Sequence, residues 1–320
     1  SCVGDGIQEC RNTWEHKKWN ITDLPEFELA ITIDRPELYY DFLQKDWTRF
    51  CHDYWKNNFL EHHTLSQKRV TRIYIGNQFC HNLFPRKELL FQVLEKALEN
   101  NLAVTLAFSY IRNHLLEEID ELLQELEVWC QSREKEAGKD QEEIIVNDWA
   151  MPILLQGKPH LKPVLGVLLN KRRKDVRLPY KHGIGNHVDS LAENNLNCGF
   201  YQDYLKNTFD IQRFEFESCG YKVTIPDGHH SLHLPFFQTN TSQYCTLYAV
   251  CRYGDRGKQK LPENCPRYCN KKVFLYPKHL KMVGRYNSLF GYDGKILWDE
   301  KQLQDYLEQG IERIVVNVSL

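Results

Sequence analysis

The chain has 320 residues, 42% of them hydrophobic and 26% charged, with a formal net charge of −2 at pH 7. These are ordinary values for a globular chain that buries a core without staples, and they give no global reason to expect a polyanion as partner. No run of about 18 apolar residues marks a transmembrane helix.

Apolar, β-branched runs recur along the sequence. In chain order they are FELAITI (27–33), VTRIYIG (70–76), AVTLAFS (103–109), EIIVNDW (143–149), PVLGVLL (163–169), RFEFES (213–218), SLHLPFF (231–237) and RIVVNVS (313–319). Several are almost continuously apolar, as strands covered on both faces are. Amphipathic helices fall between them. RKELLFQVLEKALENN (86–101) and LLEEIDELLQELEVWCQ (115–131) carry leucines at helical spacing, and DEKQLQDYLEQG (299–310) closes on Gly310 as a C-terminal stop. REKEAGKDQEE (133–143) reads as a charged, solvated connection. Strands alternating with helices predict right-handed βαβ units and a parallel sheet. The expected fold is therefore α/β, a (β/α)8 TIM-like barrel over residues 27–320 with an N-terminal extension over 1–26. A doubly wound open sheet is the competitor, but no GxGxxG or GxxxxGK[ST] follows any strand.

The polar start SCVGDGIQECRNTWEHKKW shows no apolar leader core, and eleven cysteines are an odd count. Both point to a reducing, cytoplasmic setting, where clustered thiols bind metal more often than they form disulfides.

A barrel places its chemistry at the C-terminal ends of the strands. GNQFC (76–80), SYIRNH (109–114), NDW (147–149), NKRRKDVRLPYKHG (170–183) and QTNTSQYC (238–245) all fall there. The cysteine-rich loop 245–269 supplies Cys245, Cys251, Cys265 and Cys269, spaced C-x5-C-x13-C-x3-C, and Cys80 lies just past another strand end. Zinc sites come as two tight knuckles, and only Cys265 and Cys269 make one. Iron–sulfur clusters accept looser spacing, with four thiolates, or three and an iron open to substrate. Disulfides are the third reading. Cys130 and Cys219 sit in helix and strand patterns and read as core.

Lys171, Arg172, Arg173, Lys174, Arg177 and Lys181 form a basic run opposed only by Asp175. It is either a solvated loop or an anion site, to which Arg112 and His114 would contribute. Asp148 is a candidate base or substrate-positioning carboxylate, or else a helix cap. Glu215 and Glu217 share one strand face, facing the barrel interior if the neighbouring phenylalanines face out, and there they need cationic partners. His229, His230 and His233 are weak metal candidates, since HHxxH precedes a strand and carries no helix signal. No GxSxG elbow supports a serine hydrolase.

The motifs IYIGNQFC (73–80), IIVNDW (144–149), PVLGVLLNKRRKDVR (163–177), RFEFES (213–218) and ENCPRYC (263–269) resemble, in order and spacing, the iron–sulfur branch of the U32 peptidase-like superfamily. The resemblance runs over residues 27–320. It implies a TIM-like barrel with a [4Fe-4S] cluster and oxygen-independent hydroxylation of ubiquinone precursors or RNA bases, prephenate supplying the oxygen. Other members are collagenase-like peptidases, and paired members work with a partner of the same superfamily. Cys80, Cys265 and Cys269 match the cluster ligands, and Cys245 or Cys251 completes the set. The basic run would then hold an anion such as prephenate or an RNA phosphate. Where peptidase-type members carry an HG step, this chain has FFQTNTS.

Overall fold

The computed structural model describes residues 2–3, 14–20, 25–137, 142–176, 191–262 and 264–318. Strands in chain order are β1 (Cys2–Val3), β2 (Glu28–Ile33), β3 (Arg72–Gly76), β4 (Ala103–Ala107), β5 (Glu142–Val146), β6 (Leu161–Leu165), β7 (Glu215–Glu217), β8 (His230–Thr241), β9 (Val273–Leu275), β10 (Met282–Arg285), β11 (Ser288–Tyr292) and β12 (Ile311–Asn317). The helices are α1 (Pro36–Gln44), α2 (Trp47–Asn57), α3 (Thr64–Gln67), α4 (Lys87–Glu99), α5 (Leu116–Ala137), α6 (Ala150–Leu154), α7 (Gly199–Phe209), α8 (Thr246–Tyr253) and α9 (Glu300–Glu308), with short 3₁₀ turns between some of them.

The fold is mixed α/β. A parallel ladder runs β7-β8-β12-β2-β3-β4-β5-β6. Every apolar run read as a strand contributes one strand to it. The paired ladder is not closed. Its two edges meet at a single parallel bridge, Leu165 to Phe214, where the Leu165 N–H donates to the Arg213 carbonyl at 3.0 Å. An antiparallel extension, β11-β10-β9-β1, continues from the far half of β8. That half, Phe236–Thr241, leaves β12 and pairs with β11 instead.

Side-chain alternation gives the ladder two unlike faces. One carries Leu29, Ile31, Ile73, Ile75, Leu106, Ile144, Phe216, Leu232 and Ile314 into the large core beneath the helices. The other holds a small apolar set, Ala30, Tyr74, Ala107, Ile145, Val164 and Val315. On that second face Arg313 reaches Glu143 at 2.7 and 3.1 Å, Glu28 at 2.5 Å and the Tyr74 hydroxyl at 3.1 Å. Arg72 joins Glu28 at 2.8 Å.

Trp14 and Trp19, from the predicted extension, are buried in the large core, and Trp19 Nε1 donates to Ile296 O at 2.9 Å. That described stretch of the extension is thus part of the same packed unit. The predicted 133–143 connection is shorter than expected, because α5 continues to Ala137 and β5 begins at Glu142.

Gly76 ends β3 with φ +109°, and a Cβ there would meet the Ala107 carbonyl oxygen at 2.6 Å and the Phe84 ring at 2.7 Å. The backbone conformation alone disfavours any L side chain by about 1–3 kcal/mol, and the oxygen belongs to an adjacent strand that cannot swing aside. Gly76→Ala is expected to lower the urea midpoint by at least that equivalent. An unchanged midpoint would contradict the steric argument.

Candidate functional site: a four-cysteine pocket

Cys80, Cys245, Cys265 and Cys269 line one small pocket, together with His81, Asn82, Arg112, Tyr248, Pro262, Tyr286 and others. Three distant stretches bring them together. Cys80 follows β3, where Asn77 Oδ1 accepts the N–H groups of Phe79 (2.9 Å) and Cys80 (3.0 Å) and turns the chain. Cys245 lies just past β8 as the N-cap of α8. Its sulfur accepts from the Tyr248 N–H at 3.3 Å and donates to Tyr286 O at 3.0 Å. Cys269 sits in the turn Tyr268–Asn270 after Arg267, whose φ is +52°, and its carbonyl accepts from Arg285 Nε at 2.9 Å. The turn between β10 and β11, Tyr286 and Asn287, closes the pocket.

Cys251 lies on α8 and does not line the pocket, so of the two candidates for the fourth position it is Cys245 that joins Cys80, Cys265 and Cys269. All four are free thiols. Burial pushes Cys80 up to about 11, with the Asn82 amide and the Arg112 charge opposing. Burial, reinforced by neighbouring thiols, pushes Cys245 and Cys269 to about 12. Near pH 7 these thiols are protonated, so a metal that binds them must displace protons.

The donor chemistry suits a sulfur-loving metal centre: four thiols, and no carboxylate among the described residues that line the pocket. Among the described residues no three His, Cys, Asp or Glu side chains converge closely enough for a single ion. Zinc needs thiolates at about 2.3 Å from one centre, whereas in a cluster each thiolate would bind a different iron, so the thiolates would stand further apart. The pocket that the four cysteines help to line has a cavity volume of ≈ 20 Å³, close to one water. Holding a cluster would therefore require the pocket walls to stand further apart.

A second, larger cavity of ≈ 650 Å³ lies at the same rim, lined by Tyr110, Asn147, Asp148, Trp149, Asn170, Lys171, Arg172, Lys174, Gln238, Asn240 and Gln243 among others. The Asp148 carboxylate is committed. Oδ1 accepts from the N–H groups of Ala150 and Met151, both at 3.1 Å, and Oδ2 accepts from Ile111 N–H. Its geometry is that of a cap for α6 and a tie to the loop after β4.

The basic run divides. Lys171 and Arg173 are exposed. Arg172 turns inward to the Glu217 carbonyl and to Cys219 Sγ (3.1 Å). Lys174 Nζ lies 2.6 Å from Glu217 Oε2 and 3.1 Å from Gln238 Oε1. Burial pulls the Lys174 ammonium down, with Glu217 opposing. The basic loop thus supplies the partner that the Glu217 carboxylate needs. Arg177 and Lys181 lie outside the described residues, as does Cys10.

Glu215 is fully buried on the second sheet face, 2.5 Å from His233 Nε2 and 3.2 Å from the Tyr74 hydroxyl, and lines neither cavity. The three histidines separate. His229 pairs with Glu312 at 2.7 Å on the surface, His230 stacks on Phe214 with centroids 4.8 Å apart, and His233 meets Glu215.

Arg112 lines the cysteine pocket, donating to the Gln243 carbonyl and to the Tyr110 hydroxyl at 3.4 Å. His114 is exposed, its ring 6.3 Å from that of His81. His81 is a pocket residue that sequence reasoning missed, although it directly follows Cys80. Burial, together with the Arg112 charge, lowers it to about 4, so it is neutral near pH 7.

No helix among the described residues is long and apolar enough to cross a membrane. Comparison of the chain with known protein families, with curated proteins and with solved structures finds no match in any of the three, so the chemistry of this site is argued from its own residues.

Proposed function

We propose that Cys80, Cys245, Cys265 and Cys269 hold an iron–sulfur cluster, of the [4Fe-4S] type, and that the chain carries out redox chemistry, with oxygen-independent hydroxylation as the reaction class. The observation that carries this reading is the meeting of four free thiols from three distant stretches in one pocket, with no carboxylate among the described residues that line it. The fold is read as a (β/α)8-like barrel. Support comes from its parallel strands following one another in chain order around the ladder and from the Leu165–Phe214 bridge between its edges. Reduced thiols suit the cytoplasm.

When bound, a cluster held by four thiolates supplies electrons and leaves no iron for substrate. The protein's own residues do the rest. Tyr248 N–H and the Asn82 amide direct hydrogen-bond donors at sulfur. The neighbouring cavity offers amide groups from Asn147, Asn170, Gln238 and Asn240, one exposed cation in Lys171, and the half-exposed Trp149 ring. That lining suits a small anionic or aromatic substrate, prephenate or a base of RNA included. A U32-type peptidase is less well supported. Asp148 is tied up by backbone N–H groups, and the Glu215–His233 pair is sealed away from both cavities. An electron-transfer subunit that needs a partner of the same superfamily differs from an enzyme only in whether the isolated chain turns over.

Anaerobic purification with iron and sulfide analysis tests the reading. About four of each per chain are expected, with turnover of prephenate by the isolated chain if it is the enzyme. A colourless protein with stoichiometric zinc and no iron would sink it.

A further inference from the structure

Arg112 stands at the cysteine pocket with its hydrogen bonding incomplete. Nη2 donates to Gln243 O and Tyr110 Oη, both belonging to residues that line the larger cavity. Nε is buried and has no partner. No carboxylate among the described residues pairs with this guanidinium, and none lines the pocket. Leaving a buried N–H without an acceptor costs about 1–3 kcal/mol, and more on a charged group. The residues around it offer thiols, and thiolates bound to iron carry the net negative charge that a guanidinium complements. Arg285, a neighbouring cation, already gives its Nε–H to the Cys269 carbonyl.

We propose that Arg112, through its Nε–H and its charge, is the hydrogen-bond donor directed at the sulfur of a cluster in this pocket, and that it sets the reduction potential there. The inference rests on the reading above that these cysteines hold a cluster. Its physical basis is that hydrogen bonds to sulfur and nearby positive charge stabilise the reduced, more negative form. The same guanidinium is held by Tyr110 and Gln243, which line the larger cavity, so its position depends on how those two residues are held.

The test is spectroelectrochemistry on anaerobically reconstituted full-length wild type, Arg112→Gln and Arg112→Lys, with iron content measured in each. Arg112→Gln is expected to shift the one-electron equilibrium toward the oxidised form by about tenfold, a potential lower by about 59 mV. Arg112→Lys keeps the charge and is expected to shift less, in the same direction. An unchanged potential in Arg112→Gln at wild-type iron content overturns the inference and leaves the cluster standing. If Arg112→Gln holds no iron, Arg112→Lys decides: a lowered potential supports the role and an unchanged one overturns it. A wild-type chain that takes up no iron overturns the cluster reading and this inference with it.

Discussion

Cys245→Ser will fold, and after anaerobic reconstitution it will hold little or no iron, whereas Cys251→Ala will hold as much as wild type. Serine is the informative replacement because Cys245 has two jobs. Its sulfur caps α8 by accepting the Tyr248 N–H, and it faces the other three thiols in the pocket. A serine oxygen keeps the cap, which is worth about 1 kcal/mol, and removes the proposed soft ligand. Losing a metal ligand costs more than losing a partner that merely orients one, and the latter already costs about 10–100-fold in affinity. Cys251 lies on α8 outside the lining, and Cys130 is buried in α5 against the core, so Cys130→Ala should also retain iron. Iron and sulfide content with absorbance near 400 nm reads all three. Equal iron in Cys245→Ser and Cys251→Ala would remove Cys245 from the site.

Proton release gives this site a pH dependence of known sign. With Cys80 at about 11 and Cys245 and Cys269 at about 12, each thiolate formed near neutrality releases a proton. Retention of the proposed cluster is therefore expected to weaken as pH falls.

The parallel strands were legible because each is a short apolar run that must be covered on both sides, and such runs are rare elsewhere in the sequence. β9, β10 and β11 were not, since they are short, two of them are interrupted by a glycine (Gly284 and Gly291), and they take their order from β11 pairing with the far half of β8. The same excursion hid the choice between Cys245 and Cys251. Linear spacing to Cys265 favoured Cys251. The fold instead places Cys245 where β8 ends against β11, and the Tyr286–Asn287 turn brings the pocket wall to it. The basic run misled by its count of charges. Two of its members face inward because Glu217 is buried, and the period-two spacing of Glu215 and Glu217 already announced a demand for cations. Helix α7 and the tight 3₁₀ turns carry weaker patterns. The partnerless Nε of Arg112 has no sequence signal, since it depends on what surrounds the side chain.

Arg313→Met is expected to destabilise the fold by about 3–5 kcal/mol at pH 7, the cost of stranding buried charge. Arg313 is 2% exposed and holds Glu143 through two nitrogens and Glu28 through a third. Burial alone would push Glu143 up, but Arg313, Arg72 and Arg213 outweigh it and hold the carboxyl at about 2 against an ordinary 4.5. Glu28 is lowered from the same starting value, with burial again opposed by Arg313 and Arg72. A carboxylate depressed in the folded state contributes stability above its unfolded value, and that contribution is lost as pH falls from about 4.5 toward 2. Wild type should therefore weaken through that acid window. Methionine fills much of the arginine volume but leaves Glu143 and Glu28 with less counter-charge, so burial then raises both. The variant's deficit is largest where these carboxylates ionise on unfolding, and it shrinks once both states protonate. Urea unfolding at pH 7 and pH 4 should show the gap between wild type and Arg313→Met narrowing at the lower pH. Adding Glu143→Gln to Arg313→Met should recover part of the loss at pH 7, because it removes the stranded charge. A gap that is the same at both pH values, with no recovery in the double variant, would mean that Arg313 acts by filling space and that its charge is irrelevant to the fold.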